Sequence, residues 1–274
     1  MMFRDRGIEI KTREQILAMR KAGLVVGRTL ELLRGEVKVG ITTGDLDAIA
    51  EDHIRSSGAT PSFKGYHGFT GSICASVNDE IVHGIPGGRV LADGDLISID
   101  CGAIVDGWHG DAAITVGVGQ VADELVELAR ICEESMWRGF AAARLGGRLT
   151  DISAAIEAHV HANSSYGIVE DFVGHGIGSA MHQPPNVPNF GRPGRGPKLV
   201  EGMALAVEPM LTLGKQDNHT LEDDWTVVTD DGRPAAHTEH TFTLTPQGPW
   251  VLTAIDGGEA KLAELGIKTG ALSD

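Results

Sequence analysis

Five residues carry the chemistry this sequence offers: Asp100, Asp111, His175, Glu208 and Glu239. Each sits in an apolar or glycine-rich stretch, not on a charged face. Asp100 lies in DLISIDCGAIV and Asp111 in WHGDAAITVGV, with Asp106-Gly107 between the two runs. A D-G pair flanked by β-rich runs signals a tight hairpin. A two-residue loop there sets Val105 opposite Trp108, Gly102 opposite Asp111 and Asp100 opposite Ala113. The two aspartates become diagonal neighbours on one sheet face, roughly 7–8 Å apart at the backbone. Bare carboxylates on a face of Ile, Val and Ala repel each other and resist burial; a divalent cation resolves both problems.

His175 stands in G-H-G-I-G after a strand-like run, where small residues let backbone and substrate approach closely. The spacing is not G-x-G-x-x-G and no P-loop Lys follows, so it is not a phosphate loop. Glu208 interrupts the apolar run ALAVEPML. Glu239, in HTEHTFTL, shares a strand face with Thr241 and Thr243. Each has a plainer explanation when taken alone: a solvated edge Asp, a packed structural His, an edge-strand Glu that discourages aggregation. Together they supply four carboxylates and one imidazole. That hard, oxygen-rich set suits two divalent first-row ions better than a structural zinc.

The elements that position these residues follow from periodicity. Thr12 and Gln15 form a capping box ahead of a helix whose Ile16, Met19, Gly23, Val26, Leu30 and Leu33 recur at helical spacing. A second helix is expected over Gly44–Ser57, stopped by Gly58. Pro61–Gly71 reads as a loop and Ser72–Val77 as a strand. After the hairpin, helices are expected over Asp123–Leu145 and Thr150–Asn163. Strands then follow over Ile168–Val173, Ala204–Leu213, Trp225–Thr229 and His237–Leu244, with a helical turn over Glu259–Leu265. Asp231-Gly232 is a second hairpin-turn candidate, and Gln183–Pro197 reads as a surface loop. The order helix, helix, strands occurs twice and suggests two similar halves.

Composition narrows the function classes. The chain has 274 residues, 42% hydrophobic and 22% charged, with net charge −15. So acidic a surface repels phosphate backbones, which sets direct nucleic-acid binding aside. Three cysteines (Cys74, Cys101, Cys132) form no zinc pattern and no disulfide framework, which fits a reducing compartment. No signal peptide and no membrane span is read, so the expected location is cytoplasmic.

GYHGFTGSICASVNDEIVHGIP, DGDLISIDCGAIVDGWHGD, GHGIG, EPM and TEHT resemble the signature segments of type I methionine aminopeptidases. They occur in the family's order, from about Ile10 to Leu252. The resemblance implies a pita-bread fold of the α/β class. One catalytic domain over 1–274 would hold two pseudo-symmetric halves, about 10–120 and 121–252, around a dinuclear metal site. It implies that Asp100 binds one metal, that Asp111 and Glu239 bridge both, and that His175 and Glu208 complete the other site. The metals would be two divalent ions among Co, Mn, Fe and Zn. A water or hydroxide between them would be the nucleophile and Glu208 the general base. His83 in VHGIP matches the residue contacting the scissile amide. His182 in AMHQPP matches the one steadying the substrate carbonyl. The methionine pocket would use Tyr66, Phe69, Cys74 and Trp225, with Phe63 and Met181 nearby. Phe63 stands where bacterial members commonly have Cys, and Met181 where Phe is common.

The family's reaction is removal of N-terminal methionine from nascent polypeptides with a small second residue. It implies a monomer working near the ribosome, although no basic patch marks a ribosome contact. Little chain separates His182 from Glu208, so the large insertion of type II enzymes is not expected. Neither is a zinc module ahead of the catalytic part, nor the extra N-terminal domain of prolidases. An X-Pro peptidase, a non-catalytic peptide binder and a doubly wound nucleotide-binding domain are the alternatives.

Overall fold

The computed structural model describes residues 7–272. The first half of the chain runs α1 (Arg13–Glu36), α2 (Thr43–Ser56), β1 (Thr60–Pro61), β2 (Ile73–Val77), β3 (Glu80–Val82), β4 (Leu96–Val105) and β5 (Trp108–Gly117). Then come α3 (Asp123–Ala142), α4 (Leu149–Asn163), β6 (Gly167–Ile168), β7 (Gly174–Gly176), β8 (Gln183–Val187), β9 (Ala204–Val207) and β10 (Met210–Thr212). The chain closes with β11 (Asn218–Thr220), β12 (Val227–Thr229), β13 (Ala235–His237), β14 (Glu239–Thr245), β15 (Gly248–Val251) and α5 (Glu259–Glu264).

Both early helices start on reciprocal caps. Thr12 accepts from the Gln15 amide while the Gln15 side chain accepts from the Thr12 amide. Thr42 and Asp45 do the same for α2, so that helix begins one residue earlier than its sequence pattern suggests. Every residue of the α1 stripe from Ile16 to Leu33 is buried. The helix lies close on β5: a Cβ at Gly110 would come within 2.7 Å of the Gly23 nitrogen. Glycine at 110 lets the strand touch the helix backbone next to Asp111, and glycine at 23 lets the helix touch the Leu252 backbone.

Nine strands form a curled antiparallel sheet in the order β1–β4–β5–β14–β9–β7–β8, with β2 also on β4 and β15 also on β14. Two cores cover its outer face. Ile97, Ile99, Cys101 and Ala103 of β4 join Leu30, Leu33 and Leu46 of α1 and α2. Leu205, Val207, Phe242 and Leu244 join Phe140, Ile152 and Ile156 of α3 and α4. Each such Leu, Ile or Phe contributes about 1.5–3 kcal/mol by leaving water. Strand alternation turns Asp100, Asp111, Ala206 and Glu239 to the inner face.

Several expected strands are interrupted. Ala204–Leu213 is two strands, because Pro209 offers no amide to a ladder. Here β9 stays in the large sheet, while β10 joins a small sheet ordered β13–β10–β6. His237–Leu244 divides likewise at Thr238 into β13 and β14. Of the run expected over Ile168–Val173 only Ile168 is in a ladder, paired together with Gly167 before it, and Trp225–Thr229 keeps only its last three residues. Gln183–Val187, read as loop, pairs with β7. Asp231-Gly232 is not a hairpin turn: β12 pairs with β11 and β3, and β13 with β10.

Candidate metal centre and substrate cavity

Asp106 and Gly107 hold φ of 51° and 81°, the left-handed pair that a two-residue hairpin turn demands. The register is the one that turn requires: Gly102 opposite Asp111, and Asp100 opposite Ala113. Glu239 of β14 pairs with Ala113 from the other side. Asp100, Ala113 and Glu239 therefore form a row across three strands, with only a methyl between the carboxylates. Thr241 Oγ1 fixes the Asp111 backbone, donating to its carbonyl at 2.8 Å. His175 pairs with Ala206, which pairs with Thr241, so the imidazole enters from two strands beyond. Glu208 follows β9 at the Pro209 break, and Asn189 Nδ2 donates to its carbonyl at 3.0 Å.

These side chains converge. His175 Nε2 lies 3.5 Å from Glu208 Oε1 and 4.0 Å from Glu239 Oε1. One ligand atom each of Asp111, His175 and Glu239 falls within 4.8 Å of the others, as do those of Glu208, His237 and Glu239. Asp111, Glu239 and His175 are all buried. Burial pushes Asp100 up to about 7, with Glu208 adding to the rise. It pushes Glu208 up to about 8. Asp111 and Glu239 are raised well above the carboxylate range by burial first; the Asp100 and Glu208 charges add to both, and the Asp111 charge adds to Glu239. Burial, with His182 nearby, holds His175 down to about 3. The imidazole is therefore neutral, the form that binds cations.

A cavity of 430 Å³ opens over this face. All eight further residues picked out from the sequence line it: Phe63, Tyr66, Phe69, Cys74, His83, Met181, His182 and Trp225. Phe63, Phe69, Cys74 and Met181 pack as one buried cluster, with Tyr66 and Trp225 against it. Phe69 and Trp225 meet edge to face at 5.0 Å. The Cys74 thiol is pushed well up by burial and by the Asp100 and Asp111 charges, which keeps it unreactive. His83 holds φ of 60°, a strained conformation for a side chain outside glycine. Tyr66 Oη lies 2.9 Å from His182 Nδ1.

The sequence profile of metallopeptidase family M24 matches residues 17–246. A methionine aminopeptidase of Clostridium perfringens is 53% identical over 248 residues, covering 90% of this chain and 99% of that one. The chain belongs to the methionine aminopeptidases of metallopeptidase family M24. Methionine aminopeptidase 1 of Mycobacterium tuberculosis is 54% identical over 86% of this chain and 91% of its own. A solved methionine aminopeptidase of Rickettsia prowazekii superposes with a TM-score of 0.88 at 38% identity, over 90% of this chain and 99% of that one. The fold is the pita-bread fold of this family.

A metallopeptidase uses divalent metal, and the inner face fits one. Asp100 Oδ1, Asp111 Oδ1 and Glu239 Oε1 are buried with no hydrogen-bond partner. Unpaired buried carboxylate oxygens cost several kcal/mol each unless a cation answers them, on the order given for buried ions.

Sequence reasoning missed His237, whose Nε2 is buried, unpartnered and 3.6 Å from Glu208 Oε2. A signal was present: His237 stands two positions before Glu239, and strand periodicity puts such residues on one face. It also missed Phe172, which lines the cavity and meets His83 edge to face at 5.7 Å. Nothing local marks that Phe; only packing brings it in.

Proposed function

We propose that this protein removes the N-terminal methionine from newly made polypeptides, with a small second residue preferred. The observation that carries the reading is three buried carboxylate oxygens, on Asp100, Asp111 and Glu239, with no hydrogen-bond partner on the floor of a largely apolar cavity. Two divalent ions, drawn from Co, Mn, Fe and Zn, would be held by Asp100, Asp111, His175, Glu208 and Glu239. When bound they supply Lewis acidity and acidify water at neutral pH.

The chain's own residues do the rest. Phe63, Tyr66, Phe69, Cys74, Met181 and Trp225 enclose the methionine side chain and exclude water from it. Glu208 takes the proton of the attacking water and passes it toward the leaving amine. His83 is pushed down to about 4 by burial, with His237 and His182 beside it. As a neutral imidazole it can hold a hydrogen bond to the scissile amide without adding charge. His182 donates toward the substrate carbonyl oxygen as negative charge develops.

The whole chain is read as one catalytic domain with two halves, about 10–120 and 121–252. The parallel build of the two cores, each a helix pair packed on neighbouring strands of the large sheet, supports this. Among the described residues no helix is long and apolar enough to cross a membrane. The proposed enzyme is a cytoplasmic monomer meeting chains near the ribosome.

The test is release of methionine from Met-Ala-Ser by metal-stripped protein, before and after adding Mn²⁺ or Co²⁺. Metal-dependent release is expected. Silence with both metals, from protein still folded, would sink the reading.

A further inference from the structure

Met181 and His182 ride between β7 and β8, and residues 8–11 strap that segment from outside the cavity. Glu9 binds both of its ends. The Ser179 hydroxyl donates to Glu9 Oε1 at 2.6 Å, and the Ser179 amide to Oε2 at 3.0 Å. Gln183 Nε2 donates to Oε2 at 3.0 Å and to Ser179 Oγ at 3.2 Å. Lys11, its side chain 2% exposed, sets its ammonium 3.5 Å from Glu9 Oε2. That ammonium also donates to the Glu9 carbonyl at 3.1 Å and to Gln183 Oε1 at 3.4 Å. The strap is itself anchored: the Lys11 amide donates to the Gly202 carbonyl at 2.8 Å, and Ile10 bridges Met203. Gly178 makes the approach possible, since a Cβ there would run into Glu9 Oε2 and Lys11 Cε.

Burial opposes charge on Glu9. The Ser179 hydroxyl and amide, Gln183 and Lys11 outweigh it and hold the carboxyl down to about 2. Charge-assisted bonds of this kind are short, directional and roughly twice as strong as neutral ones. One ionised carboxylate thus clamps the residues on either side of Met181 and His182. Tyr66, which lines the cavity as Glu9 and Lys11 do not, holds the His182 ring itself.

We infer that Glu9 is a positioning residue for His182, setting its imidazole against the substrate carbonyl through Ser179 and Gln183. The inference rests on the role proposed for His182. A group misplaced by about 1 Å can cost as much as ~10²-fold in rate, so a loosened strap is read in turnover.

The experiment follows Met-Ala-Ser hydrolysis by the Mn²⁺-loaded full chain as wild type, Glu9→Ala, His182→Ala and the double variant. Glu9→Ala is expected to lower kcat on the order of 10-fold, with KM within about two-fold. The double variant is expected to be no slower than His182→Ala alone, because residues acting through one another do not add. Ser179→Ala, which removes one donor and leaves the cores intact, should repeat the pattern if Glu9→Ala folds poorly. A His182→Ala chain as fast as wild type overturns both the His182 role and the strap. A slow His182→Ala chain, with Glu9→Ala at wild-type rate or losing the same factor in both backgrounds, overturns the strap alone.

Discussion

The Thr238 amide donates to the Pro209 carbonyl at 3.3 Å. This bond joins the two places where a strand leaves the large sheet for the small one. Glu208 immediately precedes one break and Glu239 follows the other, so this contact ties together the backbone beside both carboxylates. Glu208→Gln keeps the shape of this corner and removes the basic oxygen. Turnover of Met-Ala-Ser is expected to fall on the order of 10²- to 10⁴-fold with circular dichroism unchanged. Near-normal activity would remove Glu208 as the base.

His182 is held at Nδ1 by the Tyr66 hydroxyl. With the hydroxyl donating, Nε2 carries the imidazole proton and presents it to the cavity. His182→Ala is expected to cost on the order of 10² in kcat, and Tyr66→Phe a smaller factor in the same parameter. Equal kcat for Tyr66→Phe and wild type would show that this bond does not set the tautomer.

Protons and cations compete for the inner face. Without cations, Asp100 and Glu208 keep protons up to about 7 and about 8, for burial first of all. The unfolded chain releases the same protons near pH 4. The folded state therefore binds more protons across that window, and its stability falls as pH rises through it. Above about pH 7 the histidines that burial holds down are largely neutral in both states, and chelator-treated protein is expected to show a Tm that declines from there to about pH 8. Mn²⁺ should raise Tm, and by more at the higher pH, since the ligands must shed protons to bind it. A gap that does not widen with pH would mean the carboxylates are already ionised in the metal-free fold.

Phe63 and Met181 share one buried cluster with Phe69 and Cys74. Met181→Ala opens a hole in the wall of the cavity. It is expected to destabilise the chain by about 2–5 kcal/mol and to raise KM for Met-Ala-Ser more than it lowers kcat. Selectivity for methionine over leucine should drop in the same variant. Peptide kinetics with both N-terminal residues measure this, and unchanged discrimination would place Met181 outside the specificity wall.

Local chemistry decided much of this protein before any tertiary contact. The Thr12–Gln15 box starts α1, and the Asp106-Gly107 turn fixes the register that puts Asp100 and Asp111 on one face, because caps, turns and strand alternation are short-range. A continuous apolar run does not say where a strand changes sheets, so the breaks at Pro209 and Thr238 were hidden. A D-G pair does not say which strands will pair, so Asp231-Gly232 misled where Asp106-Gly107 did not. His237 and Phe172 enter the cavity, and Glu9 reaches Ser179 and Gln183, only when distant segments pack. Such meetings depend on the volume and path of the whole chain, which no local period encodes. The residue types for a metal-dependent peptidase were thus legible in one dimension, while their convergence over one cavity was decided by the curl of the sheet.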